Sequence, residues 1–392
     1  MTGFLLRLFV KNHDRPQDPE VRKAYGRLAG GVGIACNLLL SAGKLAAGLL
    51  AGSIAVMADA VNNLSDAASS VITLVGFRLS GKPADKEHPF GHARFEYIAG
   101  LAVASSGLVG GVELGRSSLE KIMNPEPVAF SWLTFAILAA SILVKMWMAV
   151  FNRTLGRRIH SPALEATYAD SRNDVVATAA VLAAALVAHF TGLNLDGWMG
   201  LAVAAFILYS GIGLIKDTSD PLLGQAPDPE LVAYVDQKIL GYQGVLGTHD
   251  LIVHDYGPGR RFASAHVEMS ADRDVMEAHD VIDNIERDFL EQDNLHLIIH
   301  YDPIVTGDAH VNDARCWVSK QVAAIDPRLT IHDLRLVDGP THTNYIFDVV
   351  VPQGFSMPDE ELLGRIDKTV QRGEKPVHTV VTIDRSYAPM PR

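Results

Sequence analysis

The sequence predicts a membrane α-helical domain of six transmembrane helices followed by cytoplasmic α+β domains of ferredoxin-like order, the second a degenerate repeat of the first. Three observations predict it. Hydrophobic residues make up 48% of the 392-residue chain and mean hydropathy is positive, which is high for a purely soluble protein. Residues 1–216 carry 19 Lys and Arg against 15 Asp and Glu, whereas residues 217–392 carry 15 against 30, so a mildly basic apolar half precedes an acidic half. The apolar runs stop near residue 216, after which short alternating strands and amphipathic helices take over.

The domain plan is a cytoplasmic lead-in at 1–27, a six-helix domain at 28–216, a first α+β domain at 217–305 and a second at 306–392. The lead-in, "MTGFLLRLFVKNHDRP", lacks a small-residue cleavage site and reads as an amphipathic or frayed cytosolic segment, not a signal peptide. Apolar segments follow at roughly 28–50, 54–78, 95–119, 130–152, 164–190 and 196–215, each near the 20 or so residues a helix needs to cross a bilayer. Polar stretches at 51–53, 80–94, 124–131, 152–162 and 191–197 separate them. Basic residues concentrate in the lead-in (Arg7, Lys11, Arg15, Arg22, Lys23, Arg27) and in the second-to-third and fourth-to-fifth loops. By the positive-inside rule both termini are then cytoplasmic, in a multi-pass protein of the cell inner (plasma) membrane.

Beyond "KDTSDPLLGQAPDPE" the pattern gives a helix near 228–240, strands near 247–256 and 261–270, a helix near 274–292 and a strand near 295–302. The order αββαβ then returns. A helix near 309–325, "LTIHDLRLVDGPTHTNYIFDVVV", a helix near 358–372 and "VHTVVTIDRSY" share His-Asp-Leu, Gly-Pro and a strand-terminal Asp with the first unit. Cys36 and Cys316 are too few for a disulfide framework or thiolate metal site.

Against this background "MADAVNNLSDAASSV" is anomalous, because Asp59, Asn62, Asn63 and Asp66 fall within about two turns of an apolar helix. Asp59 and Asn63 are four apart and stack on one face, and Asp170 and Asp174 repeat that spacing in the fifth segment. An ionised group in hydrocarbon costs on the order of 2.5 to 3.5 kcal/mol, so such groups face a cavity or one another. Two matched pairs point to a divalent cation. The plainer reading has them pair with Arg172, Lys44 or Lys145, although Arg172 sits about 100° off the carboxylate face and reads as pointing toward loop or headgroup. Lys44, Glu113 and Lys145 read as gating or charge-balancing groups without a ranking among them.

On Asp59 and Asn63, "HPFGHARFE" at 88–96, Asp170 and Asp174, and the αββαβ domain, the chain resembles the cation diffusion facilitators over roughly residues 25–304. That resemblance implies a homodimeric transporter, not an enzyme, that exchanges cytosolic divalent metal for protons. The transported metal and protons are its only small-molecule partners besides the lipid bilayer, with no prosthetic group and no nucleic acid. Its transport site would be Asp59, Asn63, Asp170 and Asp174. Zinc-moving members carry His and Asp where Asp170 and Asn63 stand here, and an all-oxygen set suits Mn²⁺. The sequence thus leans to the manganese-exporting branch, with Zn²⁺ or Fe²⁺ as competitors, since affinity alone favours Zn²⁺.

The resemblance also marks Asp85, His88 and His92 as a candidate loop metal site, and His249, His266, His279, His300 and Asp302 as a candidate site at the cytoplasmic dimer interface. In the second repeat His332 stands for His249 and Asp384 for Asp302, but Asp348 replaces His266 and Thr382 replaces His300. A two-metal cluster is therefore not expected there, and the repeat reads as an interaction or dimer-extending module for an unidentified partner. A metal sensor docked on the membrane without transport is the alternative from another class. No His-Glu-x-x-His, Gly-x-Ser-x-Gly or P-loop pattern suggests catalysis.

Overall fold

The computed structural model describes residues 2–16, 18–51, 54–124, 131–352, 354–372 and 375–385. The chain forms two compact units, Met1–Gln225 with Tyr256–Arg260, and Ala226–Asp255 with Arg261–Arg392. The first is all helical: α1 (Thr2–Phe9), α2 (Pro19–Ala51), α3 (Ile54–Ser80), α4 (Phe95–Met123), α5 (Trp132–Ile159), α6 (Pro162–Thr191) and α7 (Asp196–Leu223). Five described helices, α2 and α4 to α7, are long and apolar enough to cross a membrane. The 27-residue α3 has the length, but Asp59, Asn62, Asn63 and Asp66 dilute its apolar character. The expected turns at 51–53 and 124–131 fall largely outside the described residues.

Two expectations are corrected by helices that outrun their apolar cores. The lead-in is mostly helix, since α2 already begins at Pro19. Its first turns are polar, so hydropathy does not register them, and Arg22 stabilises them through a bidentate pair with buried Glu96 of α4 at 3.1 and 2.7 Å. Arg22 also donates to the carbonyls of Ile159 and His160 at the C-terminal end of α5, so one guanidinium joins three helix ends. The 152–162 loop shrinks to a two-residue joint. His160 takes the left-handed conformation at φ 48° to cap α5, Ser161 Oγ accepts from the Leu164 N–H, and Pro162 opens α6.

Helices α2 and α3 pack along a seam of glycines. A Cβ on Gly26 would fall 2.0 Å from the Phe77 ring, one on Gly30 2.8 Å from Leu74 Cβ, and one on Gly33 2.6 Å from Ser70 Oγ. Small residues at such spacing let helix backbones approach closely in a bilayer.

The second unit holds two αββαβ modules. In the first, α8 (Pro229–Leu240) and α9 (Val275–Asp293) flank β1 (Val245–Asp255), β2 (Arg261–Ser270) and β3 (Leu295–Ile304); in the second, α10 (Ala309–Ile325) and α11 (Asp359–Thr369) flank β4 (Thr330–Asp338), β5 (Thr343–Val351) and β6 (Val377–Arg385). Both sheets have the order first-second-third strand, with an antiparallel and then a parallel pairing. Period-2 alternation buries Ala263, Ala265, Val267 and Met269 of β2 together with α8 and α9 residues, and Tyr345, Phe347, Val349 and Val351 of β5 with α10 and α11 residues. The intervening residues, His266 and Glu268 or Asp348 and Val350, point to the helix-free face of each sheet. Both first strands break register at a bulge after a histidine, and there Asp250 and Asp333 adopt φ 52° and 56°.

Candidate metal centres

In the helical unit, α3, α4 and α6 border a cavity of about 540 Å³ whose wall includes Asp59, Asn62 and Asp66 of α3 and Asp170, Asn173 and Asp174 of α6. The carboxylate oxygens of Asp66, Asp170 and Asp174 come within 4.8 Å of one another. Lys145 of α5, buried, donates to Asp66 and Asp174 at 2.6 Å each. Lys44 of α2 lies 2.7 Å from Asp59.

The four residues expected as a transport site therefore separate. Asp170 and Asp174 converge, but their α3 partner is Asp66, a residue the pairing of Asp59 with Asn63 left out. Asp59 lines the cavity and is ion-paired with Lys44. Asn63 is buried off the cavity wall and donates to Asp66 at 3.2 Å. At 100° per residue Asp59, Asn62 and Asp66 fall in a stripe about 60° wide, while Asn63 lies about 40° outside it, past Asp59. The spacing that could have found the pair is present in the sequence, because Asn62 and Asp66 are also four apart. Arg172 does turn away from the carboxylates, but toward protein: it bonds Ser210 of α7 and lies over the Tyr168 and Phe206 rings. Glu113 is exposed on α4.

The loop after α3 gathers all three of its expected residues. His88 Nδ1 and His92 Nε2 stand 3.5 and 3.4 Å from the Asp85 carboxylate, and their ligand atoms cluster within 4.8 Å. The Pro83 carbonyl, 3.0 Å from His92 Nδ1, fixes the ring so that Nε2 faces Asp85. Backbone N–H groups of His88 and Glu87 hold the Asp85 carboxyl below its ordinary range.

In the second unit β-register aligns His249, His266 and His300 across β1, β2 and β3. Asp302 ties them, 3.2 Å from His249 Nε2, 2.8 Å from His266 Nδ1 and 3.3 Å from His300 Nε2. His279 is the exception. Its neighbour Ala278 faces the core of α9 with Ile282, Ile285 and Phe289, so His279 is rotated onto the exposed side, outside the cluster.

In the second repeat His332 aligns with Asp348 and Thr382, and His332, Asp333 and Asp348 form a further group of ligand atoms within 4.8 Å. The two repeats meet here. The His249 and His332 rings stack at 3.9 Å between centroids. Burial alone would lower His249, but the carboxylates of Asp250, Asp302 and Glu268 outweigh it and hold the imidazole above its ordinary value; His332 is pushed down by burial and by His249. Across the same contact the Asp250 carboxyl, with burial, pushes Asp384 up to about 7.

Fold and centres together define a helical membrane protein with an acidic intrabilayer cavity and a cytoplasmic-type α+β unit rich in metal-ligand side chains. Family models for the cation efflux transmembrane domain and the cation efflux protein cytoplasmic domain match residues 32–223 and 227–304. The chain is 30% identical to the cation-efflux pump FieF of Cronobacter sakazakii, over 71% of this chain and 94% of that one. It is also 30% identical to FieF of Salmonella typhi, over 72% and 95%, and 27% identical to an uncharacterized transporter of Methanocaldococcus jannaschii, over 66% and 94%. The chain belongs to the cation efflux family, the cation diffusion facilitators, and is a multi-pass membrane transporter.

Proposed function

We propose that the protein exports a divalent cation, Mn²⁺ foremost, across the cytoplasmic membrane in exchange for protons, as a homodimer with six crossings and both termini in the cytoplasm. The observation that carries this reading is the convergence of Asp66, Asp170 and Asp174 on one cavity wall inside the helix bundle. Asn62, on the same wall, completes a set of three carboxylates and one amide. Oxygen donors without imidazole or thiolate suit a hard ion better than Zn²⁺. Asp59 stands apart at the same cavity, charge-balanced by Lys44, and serves entry or exit.

Proton exchange follows from the ligands. A carboxylate binds metal as the anion, so cation and proton compete for the same oxygens. The Lys145 ammonium competes too, because a cation that takes the oxygens of Asp66 and Asp174 displaces both of its hydrogen bonds.

In proteoliposomes with an acidic lumen, external Mn²⁺ should accumulate as internal protons leave, and a protonophore should collapse the uptake. Flux indifferent to the proton gradient would replace the carrier with a channel, and no flux would favour a sensor. Parallel runs with Zn²⁺ and Fe²⁺ rank the cargo: faster uptake of either would overturn Mn²⁺ while leaving antiport standing. Topology is separately testable. A cysteine in place of Leu193, between α6 and α7, should react with an impermeant maleimide added to intact cells, and protection from it would refute cytoplasmic termini.

A further inference from the structure

Among the described residues, one gathering of metal-ligand side chains outside the helical cavity belongs to neither repeat alone. His249 and His332, from equivalent bulges on the helix-free faces of the two sheets, are 8% exposed each. All four of their ring nitrogens are buried without a hydrogen-bond partner among the described residues. The carboxylates of Asp250 and Asp302 reach His249 at 3.4 and 3.2 Å, and Asp384 reaches His332 at 3.7 Å, ion-pair distances without hydrogen-bond alignment. A buried imidazole nitrogen without an aligned hydrogen bond is destabilising. Three of the four nitrogens meet only misaligned carboxylates and His332 Nδ1 meets none, an arrangement that a bound cation would satisfy. Nitrogen and oxygen ligand atoms of His249, Asp250 and His332 already lie within 4.8 Å of one another, and small rotamer changes bring such a set to the roughly 2.0–2.2 Å bonds of a tetrahedral ion.

We propose that the two repeats of a single chain close on a shared metal site, with His249 and Asp250 from the first repeat and His332 from the second as ligands. The occupant is a borderline divalent transition ion of the Zn²⁺ or Co²⁺ type, because two imidazoles suit such ions and not Mn²⁺. The site thus differs in chemistry from the oxygen-lined cavity, and it gives the second repeat a partner: the first repeat of its own chain. The left-handed conformation of Asp250 and Asp333 belongs to this arrangement, since the bulge turns each preceding histidine onto the facing sheet. Because the ligands come from both modules, binding fastens one to the other within one molecule.

The test is Co²⁺ binding to the full chain in nanodiscs, by equilibrium dialysis and visible d–d absorption, and it does not depend on transport. His332→Asn, His249→Asn and Asp250→Asn should each remove about one bound Co²⁺ per chain or weaken that site roughly tenfold or more. His378→Asn, exposed on β6, should change nothing. Circular dichroism monitors folding, and Asp250→Asn leaves the stacked rings in place should either histidine variant unfold. A one-to-one mixture of His249→Asn and His332→Asn chains should stay deficient, because each chain lacks a ligand. Undiminished Co²⁺ binding by Asp250→Asn and His332→Asn would overturn the proposal, and so would recovery in the mixture, which would draw the ligands from two chains. Loss of these bands with Mn²⁺ flux intact leaves the transport reading untouched, and the converse separates the two ideas equally well.

Discussion

Asp66→Ala is expected to reduce proton-driven Mn²⁺ uptake in proteoliposomes by more than roughly 100-fold, beyond the about 10- to 100-fold that follows from removing a group hydrogen-bonded to a metal ligand. Asp59→Ala is expected to fall within that milder range. Asp66 shares its oxygen cluster with Asp170 and Asp174 and holds one of the two hydrogen bonds from Lys145. Asp59 instead neutralises Lys44. If the two variants exchanged ranks, the metal would sit higher on α3, at the position first suggested by the spacing of Asp59 and Asn63. Asn62→Asp adds a fourth carboxylate to the set of Asp66, Asp170 and Asp174, and the ratio of Mn²⁺ to Zn²⁺ uptake measures what the amide contributes to choice of ion.

The second large effect concerns architecture. Glu96→Ala leaves the partly exposed Arg22 guanidinium with only the Ile159 and His160 carbonyls, and the loss is expected to be below the about 3–5 kcal/mol of breaking a fully buried pair. Thermal unfolding of the detergent-solubilised chain should shift clearly downward. Arg22→Met with Glu96→Leu removes both charges and should recover most of the loss. If Glu96→Ala unfolds at the wild-type temperature, the junction of α2, α4 and α5 carries no structural weight and the three helix ends are held by apolar packing alone. That packing is present in Tyr25, Phe77, Phe151 and Leu155.

The sequence made the succession of elements legible, because the apolar period changes from helical to strand-like near residue 216 and each α+β strand is bounded by turn residues. Helix ends were less legible. Residues 19–27 and 153–159 are helical though polar, and their stability comes from Arg22, Tyr25 and neighbouring helices distant in sequence. The acidic cavity shows the same division. Spacing identified α3 and α6 as its source and Asp170 with Asp174 as one pair. It could not choose between Asp59 with Asn63 and Asn62 with Asp66, two pairs of equal spacing on adjoining faces. The rotation of α3, which packs closely on α2 at Gly26, Gly30 and Gly33, puts Asn62 and Asp66 on the cavity wall and Asn63 off it. In the cytoplasmic-type unit, the correspondence of His332 with His249 followed from the repeat of His-Asp-Leu, whereas their meeting required the facing of two sheets, which no local pattern encodes.

The glycine seam binds α2 to α3 so closely that Lys44 travels with Asp59 and Asp66, and α5 packs against α6, so Lys145 travels with Asp170 and Asp174. Each of these two slabs bears two carboxylates and one ammonium, a formal charge of −1 when all are ionised. The pair together presents −2, the complement of one divalent ion. The lysines thereby act as ballast: they hold the formal charge of a four-carboxylate cavity at that of one divalent anion, so that the ion pairs Lys44–Asp59 and Lys145–Asp66–Asp174 set how much cationic charge the cavity can take up.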